Sequence, residues 1–179
     1  MAAIPRPSPV SWLDPAVIAA SCGWVGRIPI APGTFGSVVG LPLSLATGTA
    51  AAWIAGRLGQ PGGATPALIE LALIASLFAA GIPVCTRAAR LLGGKDPGAV
   101  VLDEVVAMPT VLAVVPLAAR GLVVLGGAFV LFRAFDIAKP PPIRRLERLP
   151  GGLGIMADDQ VAAVFAAACL AAARWQGWV

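Results

Sequence analysis

Val38 to Gly56 carries no charged residue and Ala67 to Val84 carries only Glu70, so each run has the length and apolarity of a membrane-spanning helix of about 20 residues. Between them Arg57 to Pro66, with Gly59, Pro61, Gly62 and Gly63, reads as a turn. Glu70 lies near one end of its run and is expected at the membrane interface. A mean hydropathy of +0.87 extends this reading to the whole chain: a membrane protein of one domain, residues 1–179, rather than a soluble enzyme. Residues 1–15, with Pro5, Pro7 and Pro9, read as a flexible N-terminal segment, and no cleaved signal peptide is expected there.

Three more apolar stretches follow. Val105 to Ala119 and Gly121 to Phe132 are short and separated only by Arg120; a run of about 15 residues reaches only about 22 Å as a helix. Either they extend into polar ends at Asp103 and Asp136 and cross, with Arg120 snorkelling at the turn, or they form a partly embedded hairpin. Gln160 to Ala173 makes a further apolar helix, followed by Arg174, Trp175 and Trp178 as interfacial anchors. The expected fold is therefore all-α, a compact membrane-associated helical bundle with about five apolar helices. Lys and Arg set its orientation. With the N-terminus inside, Arg6, Arg27, Arg87, Arg90, Lys95, Arg133, Lys139, Arg144, Arg145 and Arg148 fall on the cytoplasmic side, against Arg57, Arg120 and Arg174 outside. The same arrangement gathers residues 28–37, 93–104, 133–143 and 151–159 on one face.

Those segments hold most of the acids of a chain in which only 12% of residues are charged. Asp96-Pro97 opens a turn before Asp103-Glu104 at the start of the third apolar helix, and Asp158-Asp159 repeats the acid pair before the fifth, after a flexible Gly151-Gly152-Leu153-Gly154. One such pair complements a helix dipole; two facing one side look like ligands for a hard cation such as magnesium. Arg133 and Asp136 share a helical face, either as a plain salt bridge or, with Lys139 ahead of Pro140-Pro141-Pro142, as a metal ligand flanked by cations for phosphoryl transfer. In Ala31-Pro32-Gly33-Thr34-Phe35-Gly36-Ser37 a proline-glycine turn lets Thr34 or Ser37 cap a helix and turns free amides toward an anion.

What the chain lacks narrows the chemistry. It has no histidine, so phosphohistidine, Ser-His and His-ligated metal chemistry are excluded. Cys22, Cys85 and Cys169 sit in apolar context without CxxC spacing and are expected as buried small hydrophobes. No basic face interleaved with aromatics suggests nucleic acid. Metal-activated water attacking a phosphate ester is the easiest reaction to assemble.

Read together, APGTFGSVVGLPL (31–43), DPGAVVLDEVVAM (96–108), FRAFDIAKPPPI (132–143) and GGLGIMADD (151–159) resemble the bacterial phosphatidylglycerophosphatase A family, in its order and over most of the chain. The resemblance implies an all-helical, magnesium-dependent phosphatase of the inner membrane, its active site facing the cytoplasm. Its substrate would be phosphatidylglycerophosphate in the lipid bilayer and its product phosphatidylglycerol. By position it implies Asp103, Glu104, Asp136, Asp158 and Asp159 as catalytic residues, Asp103, Asp136, Asp158 and Asp159 holding the metal, and Thr34, Ser37, Arg133 and Lys139 binding the phosphate. Ala107 and Ala163 stand where that family usually has glycine, which implies closer packing in their helices. Two rivals stay open: a lipid phosphate phosphatase for another head group, and a metal or ion transporter. The second is disfavoured by acids placed at helix ends rather than midspan.

Overall fold

A computed structural model describes residues 12–178, and among these the chain is helical and without strands. In order it forms α1 (Pro15–Ala20), α2 (Pro32–Arg57), α3 (Thr65–Leu92), α4 (Leu102–Leu112), α5 (Leu122–Ala138), α6 (Ile143–Leu146) and α7 (Gly152–Trp175). Most of the segment expected to be flexible, residues 1–11, lies outside the described residues. Its last part is held in place instead. The Asp14 carboxylate accepts from the Ala16 amide at 2.9 Å, capping α1, and pairs with Arg87 of α3 at 2.7 Å.

Helices α2, α3 and α7 are long and apolar enough to cross a membrane, reaching about 36 to 42 Å at 1.5 Å per residue. α4 and α5, with 11 and 17 residues, reach only about 16 and 26 Å, so they form a hairpin of two helices each shorter than spanning length. Pro116 disfavours a helical Val115, and the chain turns over there through Leu117–Ala119.

The short α4 sits between α2 and α7. Its Met108, Val111 and Leu112 pack with Phe132 of α5 and with Ala162, Ala166 and Leu170 of α7. Ala107 and Ala163 are completely buried in the same cluster. Toward α2 the contact is a face of small residues, Gly36, Ser37, Gly40, Ser44, Thr47 and Gly48, all buried, which brings the two backbones together. Pro109 leaves the Val105 carbonyl without its helical donor. Gly40 lies over that oxygen, so close that a Cβ there would stand 2.8 Å away.

This packing corrects the reading of two charges. Glu70 is 5% exposed rather than interfacial, and Arg120 is 6% exposed rather than snorkelling. The hairpin ends within the depth of α2 and α3, where Arg120 meets Glu70 before it meets water. Its guanidinium donates to both Glu70 oxygens at 2.8 and 2.7 Å, to the Ser44 carbonyl at 2.6 Å and to the Val115 carbonyl at 3.0 Å. Thr47 adds a hydroxyl donor to Glu70 at 3.2 Å. Among the cysteines only Cys85 is buried; Cys22 is half-buried in a turn and Cys169 is exposed on α7, where a thiol is apolar enough to face lipid.

Candidate active site

Because α2, α4 and α7 run away from one end of the bundle while α3 and α5 return to it, segments 28–37, 93–104, 133–143 and 151–159 meet there. The Val101 amide donates to the Ala20 carbonyl at 2.8 Å, and the Gly152 amide donates to the Thr86 hydroxyl at 2.7 Å. The second contact also corrects the helix start. Gly151-Gly152-Leu153-Gly154, expected to be flexible, is pinned on α3 and forms the entry to α7, so Asp158 and Asp159 stand inside the helix rather than ahead of it. Gly152 is required at this crossing, since a Cβ would lie 2.1 Å from the Ile82 carbonyl oxygen.

Asp103 and Glu104 occupy the first turn of α4 and face Asp159 across the α4–α7 contact. One ligand oxygen from each lies within 4.8 Å of the others. Two charges at that separation repel by roughly 3 kcal/mol at an effective dielectric constant of 20. Asp103 and Asp159 are almost wholly buried. Burial, then the facing Glu104 and Asp159 carboxylates, push the Asp103 pKa well above the usual carboxylate range, and burial likewise raises Glu104. Asp103 Oδ1, Glu104 Oε2 and Asp159 Oδ2 are buried without a hydrogen-bond partner among the described residues. Three buried carboxylates with oxygens left over form a donor set suited to a hard cation.

Asp136 and Asp158 each pair with a cation, although Asp158 Oδ1 is likewise buried without a hydrogen-bond partner among the described residues. Asp136 pairs with Arg133, whose guanidinium also reaches Glu104 at 4.0 Å. Lys139 donates at 2.7 Å to Asp158 and at 2.7 Å to Glu147. Burial opposes the Lys139 charge, but these two hydrogen bonds outweigh it and raise its pKa above the ordinary lysine value. Both cations keep donors in reserve. Arg133 Nε finds no acceptor among the described residues, and an ammonium with two acceptors has one N–H left.

The structure thus brings together Asp103, Glu104 and Asp159, with Arg133 and Asp136 beside them, and sets Asp158 with Lys139 a step away. Thr34 and Ser37 are not helix caps. α2 begins at Pro32 behind Ala31, whose φ is 49°, so both residues lie inside the helix, and the Ser37 hydroxyl is turned back onto the Gly33 carbonyl at 2.9 Å. Ala31 provides no side-chain cap, so the first amides of α2 remain uncapped by side chains. This segment comes nearest the cluster at Gly33, where a Cβ would be 2.0 Å from Glu104 Oε1 and 3.3 Å from an Arg133 nitrogen.

Sequence reading missed Gly33 and Glu147 as site neighbours. Glu147 reaches Lys139 only because the Pro140–Pro142 break and α6 fold the chain back, and its local signal is weak, a single acid in the basic run Arg144–Arg148. A hollow of about 210 Å³ opens beside this pair, lined in part by Lys95, Asp96, Glu147, Gly151 and Asp158.

A family profile described as Phosphatidylglycerophosphatase A matches residues 18–174. Three relatives are similar over most of their length. A Bacteroides thetaiotaomicron protein provisionally named phosphatidylinositol-3-phosphatase is 36% identical over 156 residues, covering 84% of this chain and 87% of its own. A Haemophilus influenzae protein named Phosphatidylglycerophosphatase A is 36% identical over 158 residues, covering 88% and 87%. An Escherichia coli protein of the same name is 34% identical over 146 residues, covering 81% and 75%. No solved structure matches.

Proposed function

The chain belongs to the phosphatidylglycerophosphatase A family, and from that membership we propose that it hydrolyses the phosphate monoester of phosphatidylglycerophosphate, giving phosphatidylglycerol and inorganic phosphate, with magnesium at the buried carboxylates. The observation that carries the metal assignment is the Asp103, Glu104 and Asp159 cluster with its unmatched oxygens. Those three residues would hold the ion. When bound, magnesium supplies positive charge that draws electron density from the phosphoryl oxygens.

The chain's own groups do the rest. Arg133 and Lys139 turn their spare N–H donors to the phosphoryl oxygens and offset the charge that grows there in the transition state. Asp136 holds Arg133 in place, and Asp158 and Glu147 hold Lys139. The uncapped start of α2, passing over Glu104 at Gly33, adds main-chain dipole to the same anion. Water attacks phosphorus and gives a proton to a carboxylate of the site; as the bond to the glycerol oxygen breaks, that oxygen takes a proton, so phosphate and the free hydroxyl of phosphatidylglycerol leave. The acyl chains stay in lipid throughout, because the reacting groups lie at the end of helices that have spanning length. The excess of Lys and Arg at this end supports a site on the cytoplasmic face of a bacterial inner membrane.

The Bacteroides relative's name supports a second reading, a lipid phosphate monoesterase for another head group. The transporter reading loses its footing, since Glu70, the acid within an apolar run, is closed by Arg120. Phosphate release by the purified protein, with magnesium and with chelator, tests the metal; release with chelator at the full rate would reject it. Parallel turnover of phosphatidylglycerophosphate, phosphatidylinositol 3-phosphate and phosphatidate decides the head group, the first being expected fastest.

A further inference from the structure

Arg27 ends the 3-10 turn Val25–Arg27 at the site end of the bundle. Its guanidinium carbon lies 4.8 Å from the Trp12 ring centroid and 4.3 Å from that of Trp24, within cation–π range of both. The ion pairs among the described residues leave it out. Aromatic contact engages the faces of a guanidinium and leaves the N–H groups on its edge to donate.

The surroundings say what such an edge meets. Trp24, Ile30 and Leu13 are about three-quarters exposed, and the exposed apolar surface continues along α2 through Phe35, Val38 and Val39 into a helix of membrane-spanning length. Indoles and aliphatic side chains arranged this way belong at the lipid–water boundary. A hollow of about 420 Å³ between Trp12, Arg27, Pro32 and Gly98 opens there, next to the Gly33 that touches the carboxylate cluster. A caged cation at that boundary calls for an anion carried by a lipid.

We propose that Arg27, clamped by Trp12 and Trp24, binds the phosphodiester of a phospholipid at the rim of the active site. Two lipids offer that chemistry: the substrate, whose diester joins its glycerol to the acyl glycerol, and a neighbouring bilayer lipid. Only the turnover arm of the test rests on the phosphatase reading.

The protein in neutral detergent is assayed on short-chain phosphatidylglycerophosphate and on glycerol 3-phosphate, which has a monoester and no diester. If the substrate is the source, Arg27→Gln raises KM for the lipid roughly tenfold, leaves kcat within about twofold, and does not change turnover of glycerol 3-phosphate. If a bilayer lipid is the source, KM holds, but the rise in melting temperature that added dioleoylphosphatidylcholine gives the native protein falls by about half or more. Trp24→Ala moves the same readout in the same direction, and Arg27→Lys, charged but without the planar edge, falls between. An unchanged KM together with an unchanged lipid-induced melting shift overturns the proposal. Failure of the phosphatase reading shows separately, as no phosphate release from either substrate by native protein, while the melting arm still reports on Arg27.

Discussion

Two groups of buried charge sit at different depths of this bundle, and they are built on opposite terms. Glu70 and Arg120 meet two-to-two through paired hydrogen bonds, with Ser44, Thr47 and Val115 taking up further donors and acceptors. The pair is neutral and closed. Asp103, Glu104 and Asp159 collect three carboxylates with only a distant Arg133 nearby, and leave buried oxygens unmatched among the described residues. A buried polar group without a partner is costly, so a fold keeps such a cluster where something else completes it. The difference separates a charge pair that joins helices from a carboxylate cluster left open, the one proposed above to hold an ion.

The sharpest way to break the contrast is Asp103→Asn. It removes one proposed ligand and one repelling carboxylate together, so phosphate release should fall by about a thousandfold or more while the melting temperature holds or rises. A lowered melting temperature would place Asp103 among structural groups instead. At the other pair the readouts invert. Arg120→Met strands Glu70 in an apolar setting and should cost about 3–5 kcal/mol in unfolding, while Glu70→Leu with Arg120→Met recovers most of the loss; the folded fraction keeps its turnover number in either case.

Gly33→Ala sharpens the boundary of the reactive cluster. The new methyl would stand 2.0 Å from Glu104 Oε1, and since that atom ends a flexible side chain, Glu104 moves aside rather than the helix. Magnesium titration of activity should then show an apparent affinity about tenfold weaker, with little change in melting. The smallest effect concerns pH. A lysine pKa raised on folding contributes stability that is complete below its unfolded value and is lost only as pH climbs through the folded one. For Lys139 that window lies above the ordinary value of 10.5. Turnover profiles between about pH 7 and 10 should therefore be the same shape in Lys139→Arg as in the native enzyme. An alkaline limb that moves in the variant would show Lys139 titrating where the geometry says it stays charged.

The gathering of polar segments at one end was legible because charge asymmetry and apolar run length are properties of the chain itself. The division of labour among the acids was not. Asp158 and Asp159 are neighbours in sequence, yet successive helical residues point about 100° apart, so one turns to Lys139 and the other to Asp103. No pattern along the chain says which. Glu70 and Arg120 are 50 positions apart; each alone reads as a residue seeking water, and only the early turn of α4 makes them partners. Two helix starts were misplaced for a related reason. Proline and glycine signal a break when read locally, but Pro32 fits a first helical position, and Gly152 is held on α3 by a hydrogen bond from its amide to Thr86.

The crossing at Gly33 has one more consequence. Where bare peptide lies against Glu104 and Arg133 there is no side chain to exchange, and any side chain added meets those two groups first. Side chains that substitution can reach lie instead around the hollow beside Lys139, which Asp96, Glu147 and the entry to α7 line.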